Sequence, residues 1–298
     1  MIGRKTVICG AICLGVISLA AADPPIDKDA KFSTSAEHQA ESRERKIQAE
    51  IRELGEHPWA GDYYHGDGMG VNVSLALAPR SGFVFEWHGC LGLYDRNYGS
   101  VSSANNKLAL LFTFPNERKG FTGIASELVP IPWGPRHYLI PPQQMAEFCN
   151  DVNADYEPRS DSWGMYLLRQ GDEEKPVRGG PSIPAQFQPE LLKHPIVTEI
   201  TTVGKPKLAP SHADWKFKKT PVTVKGGADI GLHRRMKLYV TEPQTVFASI
   251  EVGTVHEHAS EGVMTGISKE SADPEVGWKV STRWREASPD AAKKPAKR

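Results

Sequence analysis

Apolar and polar residues alternate along much of the middle of this chain, and this alternation predicts β-strands. Over residues 71–77 every second position is apolar, so that four side chains share one face of a strand. Residues 79–82 carry a turn signal, and residues 83–87 predict the returning strand of a hairpin. A further strand is predicted over residues 107–114. Short antiparallel strands in series are typical of a meander that forms a barrel or a sandwich.

A second group of strands is predicted towards the C-terminal end of the chain. Their patterns cover residues 196–203, 220–224, 236–241, 245–252, 261–265 and 277–283. Five or six strands within about 90 residues suit a small closed barrel.

Helical patterns are few. Residues 36–54 predict one helix, with Ser33 or Ser35 as its N-cap and Gly55 at its end. Its apolar stripe covers only the last two turns, so we expect the helix to dock at one end only. A second helix is predicted over residues 142–150, because a proline suits the first helical turn. Prolines crowd residues 115–195, and we expect most of that segment to be extended loop.

The first 22 residues have the order of a secretory signal. A short positive start is followed by an apolar run over residues 7–19 and by three alanines just before Asp23. The apolar run is too short and too interrupted for a comfortable transmembrane helix, so we expect no transmembrane segment after cleavage. The predicted location is therefore secreted or periplasmic.

These patterns together predict a mainly β fold, with two β-barrel-like domains, a short N-terminal helix and a proline-rich irregular segment. The predicted divisions are a signal peptide (1–22), a leader and amphipathic helix (23–54), a β-meander or barrel domain with proline-rich loops (55–194), a small β-barrel domain (195–286) and a basic disordered tail (287–298).

Charge and cysteine content limit the partners. Lysine plus arginine equals aspartate plus glutamate at 36 each, so no global basic field favours nucleic acid as a partner. The terminal segment Lys293–Arg298 carries a basic cluster that we interpret as a solvated tail. Cys90 and Cys149 remain after signal cleavage. They can form a disulfide in an oxidising compartment, and two buried thiols are the alternative.

Two groups of residues are candidates for ligand binding. Trp59, Tyr63 and His65 lie in a glycine-rich segment, and the aromatic and basic loop at Trp133, Arg136 and His137 can also hold a ligand. Either group can instead close or plug a barrel. No nucleophile-elbow, phosphate-loop or zinc-finger spacing occurs in the chain.

Histidines and carboxylates suggest two metal sites. His57, His65 and Asp67 lie close in sequence, and a loop of this kind can gather metal ligands or polarise a water molecule. On a strand, His256 and His258 would point the same way and could share a metal ion. The alternative for the second pair is a polar hairpin end exposed to water. We predict no cofactor.

Two segments resemble known families. The segment from Trp59 to Tyr63, which leads into the meander, resembles the first strand of lipocalin-like and avidin-like barrels, and this resemblance implies an apolar ligand cavity. Residues 226–240 and 247–280 resemble small barrels of extracytoplasmic bacterial proteins, including the β domain of the rod-shape protein of cell-wall synthesis. Those modules bind or scaffold without catalytic residues. The present helix is too short for that family's coiled coil.

The sequence thus predicts an exported, non-catalytic binding or scaffold protein of the bacterial envelope, with an envelope protein or a small apolar ligand as partner. The alternative is a metal-dependent hydrolase with a site around His57, His65 and Asp67. A hydrolase requires these side chains to converge in a pocket. A scaffold requires them to be scattered, with an exposed apolar or aromatic patch as its contact surface.

Overall fold

A computed structural model describes residues 29–66, 70–158, 166–210, 216–243, 248–266 and 271–284. The predicted signal peptide and basic tail lie outside these ranges. The fold is mainly β, with two closed β-barrels and an N-terminal helix, which confirms the predicted class. Of the helices in the described ranges, none combines the length and the apolar character that crossing a membrane requires.

The first barrel is an antiparallel meander of eight strands that closes between its first and last strands. The strands are β1 (Gly61–Gly66), β2 (Val71–Ala78), β3 (Gly82–Gly89), β4 (Gly92–Ala104), β5 (Lys107–Phe112), β6 (Glu127–Trp133), β7 (Arg136–Ile140) and β8 (Leu167–Arg169). Alternate residues point inwards, as the period of two predicts. Aromatic and aliphatic side chains fill the interior, among them Tyr63, Leu75, Phe83, Phe85, Trp87 and Leu108.

Helix α1 (Thr34–Leu54) packs along the outside of this barrel. The Ser33 hydroxyl accepts a hydrogen bond from the Ala36 amide at 3.2 Å, which caps the helix start. Ala36, Ala40 and Ile47 are all buried, so the helix docks along most of its length. The expectation of docking at one end only was therefore wrong. Alanine carries too little apolar surface to mark a stripe, but its small side chain lets the helix approach the sheet closely.

Most of the described part of the proline-rich segment is loop, as expected, but the segment also supplies strands β6, β7 and β8. Pro130 and Pro132 lie within β6 and face Leu139 and His137 of β7. The Pro132 carbonyl accepts the Ser182 amide at 2.9 Å, so its backbone polar groups point away from β7. Because residues two apart point the same way, neither proline removes a hydrogen bond from the β6–β7 ladder.

Helix α2 (Met145–Asn153) covers the opposite outer face of the first barrel, over β6, β7 and β8. Its Phe148 ring lies 5.4 Å from the rings of Tyr138 and Tyr166. Cys149 is buried in this cluster, whereas Cys90 is exposed in the turn between β3 and β4. The two thiols are not bonded, so the predicted disulfide is absent. Burial raises the pKa of the Cys149 thiol to about 12.

The second barrel contains seven strands. They are β9 (Val197–Val203), β10 (Lys207–Pro210), β11 (Lys216–Lys225), β12 (Lys237–Glu242), β13 (Ala248–Val255), β14 (Ala259–Gly266) and β15 (Lys279–Ser281). Six of them close into a ring in the order β9, β11, β14, β13, β12 and β15, while β10 is added at the edge beside the start of β11. The sequence pattern predicted the six strands of the ring and missed β10. Aliphatic residues such as Ile200, Val222, Leu238, Ile250 and Met264 fill the interior.

Helix α2 also joins the two barrels. Asn150 is 5% exposed, and its side chain donates to the Arg235 carbonyl at 2.9 Å and accepts the Lys237 amide at 3.1 Å. Arg235 in turn donates to the Gln143 carbonyl at 2.9 Å. The side-chain amide of Asn150 therefore extends the edge of β12 with the same hydrogen bonds that a neighbouring strand would supply.

Candidate binding surface

Trp59 and Tyr63 close one end of the first barrel. The Tyr63 hydroxyl donates to the Trp59 carbonyl at 3.0 Å, and Arg169 of β8 donates to the Tyr63 hydroxyl at 3.2 Å and to the His57 carbonyl at 2.7 Å. Burial raises the pKa of Tyr63 to about 12. The network ties the first strand to the last, and it uses the polar atoms of the predicted ligand residues for barrel closure.

His137 lies near the same barrel end and contacts a buried carboxylate. Asp172 accepts the His137 amide at 2.8 Å, and its Oδ2 lies 2.9 Å from the imidazole Nδ1. Burial would raise the pKa of Asp172, but hydrogen bonds from Lys175 and His137 lower it overall. Such a carboxylate orients an imidazole, as in acid–base sites. Within the described ranges, however, no hydroxyl or thiol hydrogen-bonds this imidazole.

Trp133 and Arg136 point to the outside of the same strands and hold a loop. The Trp133 indole donates to the Gly179 carbonyl at 2.8 Å, and Arg136 donates to the Lys175 carbonyl at 2.6 Å. Arg136 also pairs with Glu157 at 3.0 Å and is 1% exposed. Both side chains therefore fasten neighbouring loops onto the barrel, and the structure does not place them in one pocket with Trp59, Tyr63 or His65.

Of the residues of the predicted hydrolase site, His57 precedes β1 and His65 lies within it. The His57 Nδ1 atom accepts the Ala60 amide at 2.9 Å, and burial together with Arg169 lowers the pKa of His57. His65 lies near the far end of the strand, and six residues of β-strand span about 20 Å. Asp67 lies outside the described residues. In the described part of the chain, no three histidine, cysteine or acidic side chains are gathered as a metal site.

His256 and His258 lie in the turn between β13 and β14, not on a strand. Both are exposed, and each contacts its own carboxylate: His258 Nδ1 lies 2.8 Å from Asp229, and His256 Nε2 lies 3.8 Å from Glu261. The hydrogen bond from His258 is the largest cause of a lowered pKa of Asp229. The expected strand geometry was wrong, because the turn directs the two imidazoles to different partners.

Two clefts lie beside α1, and most of the charged side chains that line them have partners within the protein. The larger, of about 600 Å³, lies next to the β2–β3 turn. There Arg80 pairs with Glu53 at 2.6 Å, and Arg43 donates to the Ser81 carbonyl at 2.8 Å.

The smaller cleft, of about 190 Å³, brings Glu44, Asp62 and Glu86 close together. Burial and the two neighbouring carboxylates raise the pKa of Glu44. Gln48 donates to Asp62 at 2.6 Å and Arg96 donates to Glu86 at 2.7 Å, so partners within the protein already hold two of the three acids.

The outer face of the second barrel carries a trough of about 360 Å³. Gly253 is the extra residue of a β-bulge between Val252 and Thr254 of β13, and its missing side chain leaves open space on the floor of the trough. A side chain at Gly262 would meet the Glu251 carbonyl at 2.6 Å, whereas the nearest atom to a side chain at Gly253 is 3.6 Å away. The trough is lined by Thr202, Gly204, Pro221, Val222, Thr223, Gly253, Thr254, Glu261, Gly262 and Val263.

One end of this trough is basic. Lys207 of β10 lies directly opposite Lys219 of β11, which is two residues before Pro221 and points to the same face of the sheet. Lys205 follows Gly204 at the rim of the trough. All three lysines are exposed, and within the described ranges none of their side chains forms a hydrogen bond or an ion pair. The next lysine, Lys218, instead pairs with Asp273 at 3.1 Å. Like charges directly opposite on adjacent strands destabilise a sheet, so the Lys207–Lys219 pair lowers the stability of the second barrel.

The sequence contains a signal for this surface that its overall neutrality hides. Residues 204–225 include six lysines and a single acidic residue, Asp214. In the sequence, the terminal basic cluster is the more obvious basic feature. The lysines of residues 204–225 lie on an alternating strand, and such a pattern is typical of a solvated face. Only the pairing of β10 with β11 places lysines 12 residues apart side by side.

The chain matches no protein-family model, no curated protein and no solved structure. We therefore infer the function from the geometry of the two barrels and their surfaces. Among the surfaces described above, the basic end of the trough brings together three lysines whose side chains have no partner in the described part of the chain.

Proposed function

We propose that this protein is an exported, non-catalytic binding protein of the bacterial envelope that holds an extended chain in the trough of its second barrel. The observation that carries this proposal is the contrast between the engaged polar groups of the first barrel and the open trough with its unpaired lysines. Exposed, unsatisfied surface of mixed character is what a contact site requires.

Export is supported by the sequence of the first 22 residues, with their positive start, apolar run and alanine-rich cleavage site. We expect the mature protein to begin at Asp23 and to be recovered with the secreted or periplasmic fraction. N-terminal sequencing of the protein purified from that fraction tests this. An uncleaved chain in the cytosol would contradict it.

Binding is favoured over catalysis because of how the candidate residues are used. Trp59, Tyr63 and Arg136 bond to neighbouring backbone and side chains, and His57 precedes β1 whereas His65 lies near the end of that strand. A ligand inside the first barrel is not favoured either, since aromatic side chains occupy its interior. The outer trough remains as the contact surface, which agrees with the binding or scaffold role that the resemblance of the second barrel implies.

The test is retention of envelope components by the full-length protein and by a variant with a blocked trough. Gly253→Trp places a large side chain in the trough at a position with open space around it. Gly180→Trp is the matched control, because Gly180 is exposed, lies outside the trough and has no atom within 4 Å of an added side chain. Both immobilised variants and the wild type are incubated with envelope extract, and the bound material is eluted with salt.

We expect Gly180→Trp to retain the same component as the wild type and Gly253→Trp to lose it. Equal retention by the two variants, or retention of nothing by the wild type, would overturn the proposed use of the trough. Circular dichroism of both variants checks that they keep the β fold.

A further inference from the structure

We infer that the chain bound in the trough is an anionic glycan, held at its charged groups by Lys205, Lys207 and Lys219. This inference rests on the proposed function and adds the chemical class of the ligand. The lysines at the basic end of the trough bind the charged groups of the glycan, and the rest of the trough contacts its sugar rings.

The charge argument starts from Lys207 and Lys219. Side chains directly opposite on antiparallel strands have Cβ atoms about 5 Å apart, so two ammonium groups there repel each other. An anionic group between them turns this repulsion into two attractive contacts. Of the described carboxylates on this face, Glu251 lies opposite Val263 in the Pro221–Val263 row and Glu261 lies one row further from the lysines, opposite Thr223, so the lysine end stays basic.

The lining of the trough suits a polyhydroxylated chain. Threonine hydroxyls at Thr202, Thr223 and Thr254 offer both donors and acceptors along its length. Between them, Pro221 and Val263 are exposed and present aliphatic surface. A sugar ring matches this combination, because its hydroxyl groups form hydrogen bonds around the edge while its C–H faces contact apolar side chains.

Two other anionic partners fit less well. An acidic peptide would pair with the free edge of β10, but Pro206 precedes that strand and Pro210 is its last residue, and neither proline offers an amide donor. An anionic membrane is flat, whereas the trough is concave and has Glu251 and Glu261 on the same face, which such a membrane would repel. A single glycan chain can lie along the trough and place its charges only at the lysine end.

The experiment measures binding of oligogalacturonate of about ten units to the full-length protein by titration calorimetry at low and high salt. The matched neutral probe is the methyl-esterified oligomer, which has the same backbone without its carboxylates. Poly-glutamate and phosphatidylglycerol vesicles test the peptide and the membrane. The protein variants are Lys207→Glu and Lys193→Glu, the second an exposed lysine outside the trough that makes the same change in net charge.

We expect the wild type to bind oligogalacturonate, to bind the esterified oligomer at least tenfold more weakly, and to lose affinity as salt rises. Lys207→Glu should weaken binding about tenfold and also raise the melting temperature, because it replaces a like-charge pair by a Glu–Lys pair. Lys193→Glu should change neither. A residue with only a structural role would move stability and affinity in the same direction.

The inference is overturned if poly-glutamate or the vesicles bind more tightly than oligogalacturonate, if the two oligomers bind equally, or if Lys207→Glu and Lys193→Glu have the same affinity. Such a result leaves the proposed function standing when Gly253→Trp still loses its envelope component and Gly180→Trp does not. Equal retention by those two variants defeats the proposed function whatever oligogalacturonate does.

Discussion

At the scale of single residues, Asp151 shows how the protein tolerates a carboxylate between its barrels. The residue lies on α2, close to Glu147 of the same helix and to Lys237 and Tyr239 of the second barrel. Burial, with a further contribution from the Glu147 carboxylate, raises the pKa of Asp151 to about 6. The ionised form is therefore unfavourable in the folded state, and this cost is complete only above pH 6.

Asp151→Asn should therefore stabilise the protein at pH 8. Removing the charge should add about 2 kcal/mol to the free energy of unfolding there. The gain should shrink as pH falls through 6 and vanish only below about pH 3, where Asp151 is protonated in both folded and unfolded states. Urea unfolding at several pH values measures it. Asp155→Asn is the control, since Asp155 is exposed and pairs with Arg283 at 3.1 Å; an equal gain there would contradict the explanation.

At the scale of elements, α1 holds the β2–β3 turn through one buried acid. Glu50 is 4% exposed, and its carboxylate accepts the amides of Arg80 and Ser81, both at 2.8 Å. Burial would raise the pKa of Glu50, but these hydrogen bonds lower it overall. A lowered pKa means that the stabilisation is present at neutral pH and is lost as pH falls below the ordinary glutamate value.

Glu50→Ala should lower the free energy of unfolding by about 2–3 kcal/mol at pH 7, because two buried amides lose a charged acceptor. Glu53→Ala is the comparison: it removes only an exposed ion pair with Arg80 and should cost less than about 1 kcal/mol. The difference between the two variants should narrow when unfolding is measured below pH 4. Equal losses in the two variants at pH 7 would count against a special role of Glu50.

The elements also show what local pattern can and cannot predict. The strict alternation over residues 71–77 and the capping signals at Ser33 and Gly55 were sufficient for β2, its hairpin and α1. Strand β6 was not predictable in the same way, because Pro130 and Pro132 break the usual rule for strands. Proline disrupts a strand only where its missing amide would have bonded to a neighbouring strand. Whether it does so in β6 depends on the neighbours that β6 has in the closed barrel.

At the scale of the whole molecule, Asn150 couples the two barrels through its hydrogen bonds to Lys237, the first residue of β12, and to Arg235, two residues earlier. Asn150→Leu keeps a similar volume but leaves the Arg235 carbonyl and the Lys237 amide without this partner. We expect it to turn one cooperative thermal transition into two, measured by calorimetry.

Asn153→Leu serves as the comparison for that prediction. Asn153 lies one turn further along α2 and bonds to the Glu190 carbonyl and the Leu192 amide of the segment between the barrels, at 2.9 Å each. The Asn153→Leu variant should be less stable than the wild type but should still unfold in one transition. A single unchanged transition in Asn150→Leu would show that other contacts couple the barrels.

The candidate surface illustrates the limit of sequence reasoning at this scale. Trp59, Tyr63, His137 and Arg136 were proposed as ligand residues because aromatic and basic side chains are common in sites, yet their partners within the fold are not visible in the sequence. The open floor of the trough depends on the β-bulge that places Gly253 between Val252 and Thr254, and its basic end on the pairing of Lys207 with Lys219. Both are consequences of strand register, which alternation alone does not specify.

Hydrogen exchange of the full-length protein, with and without envelope extract, measures the protection of backbone amides in every segment of the molecule at the same time. We predict that added protection concentrates in residues 217–223 and 250–263, the strands beneath the trough, and that Gly253→Trp abolishes it. Protection confined to the first barrel or to α1, with none in the second barrel, would contradict the assignment of the trough as the contact surface.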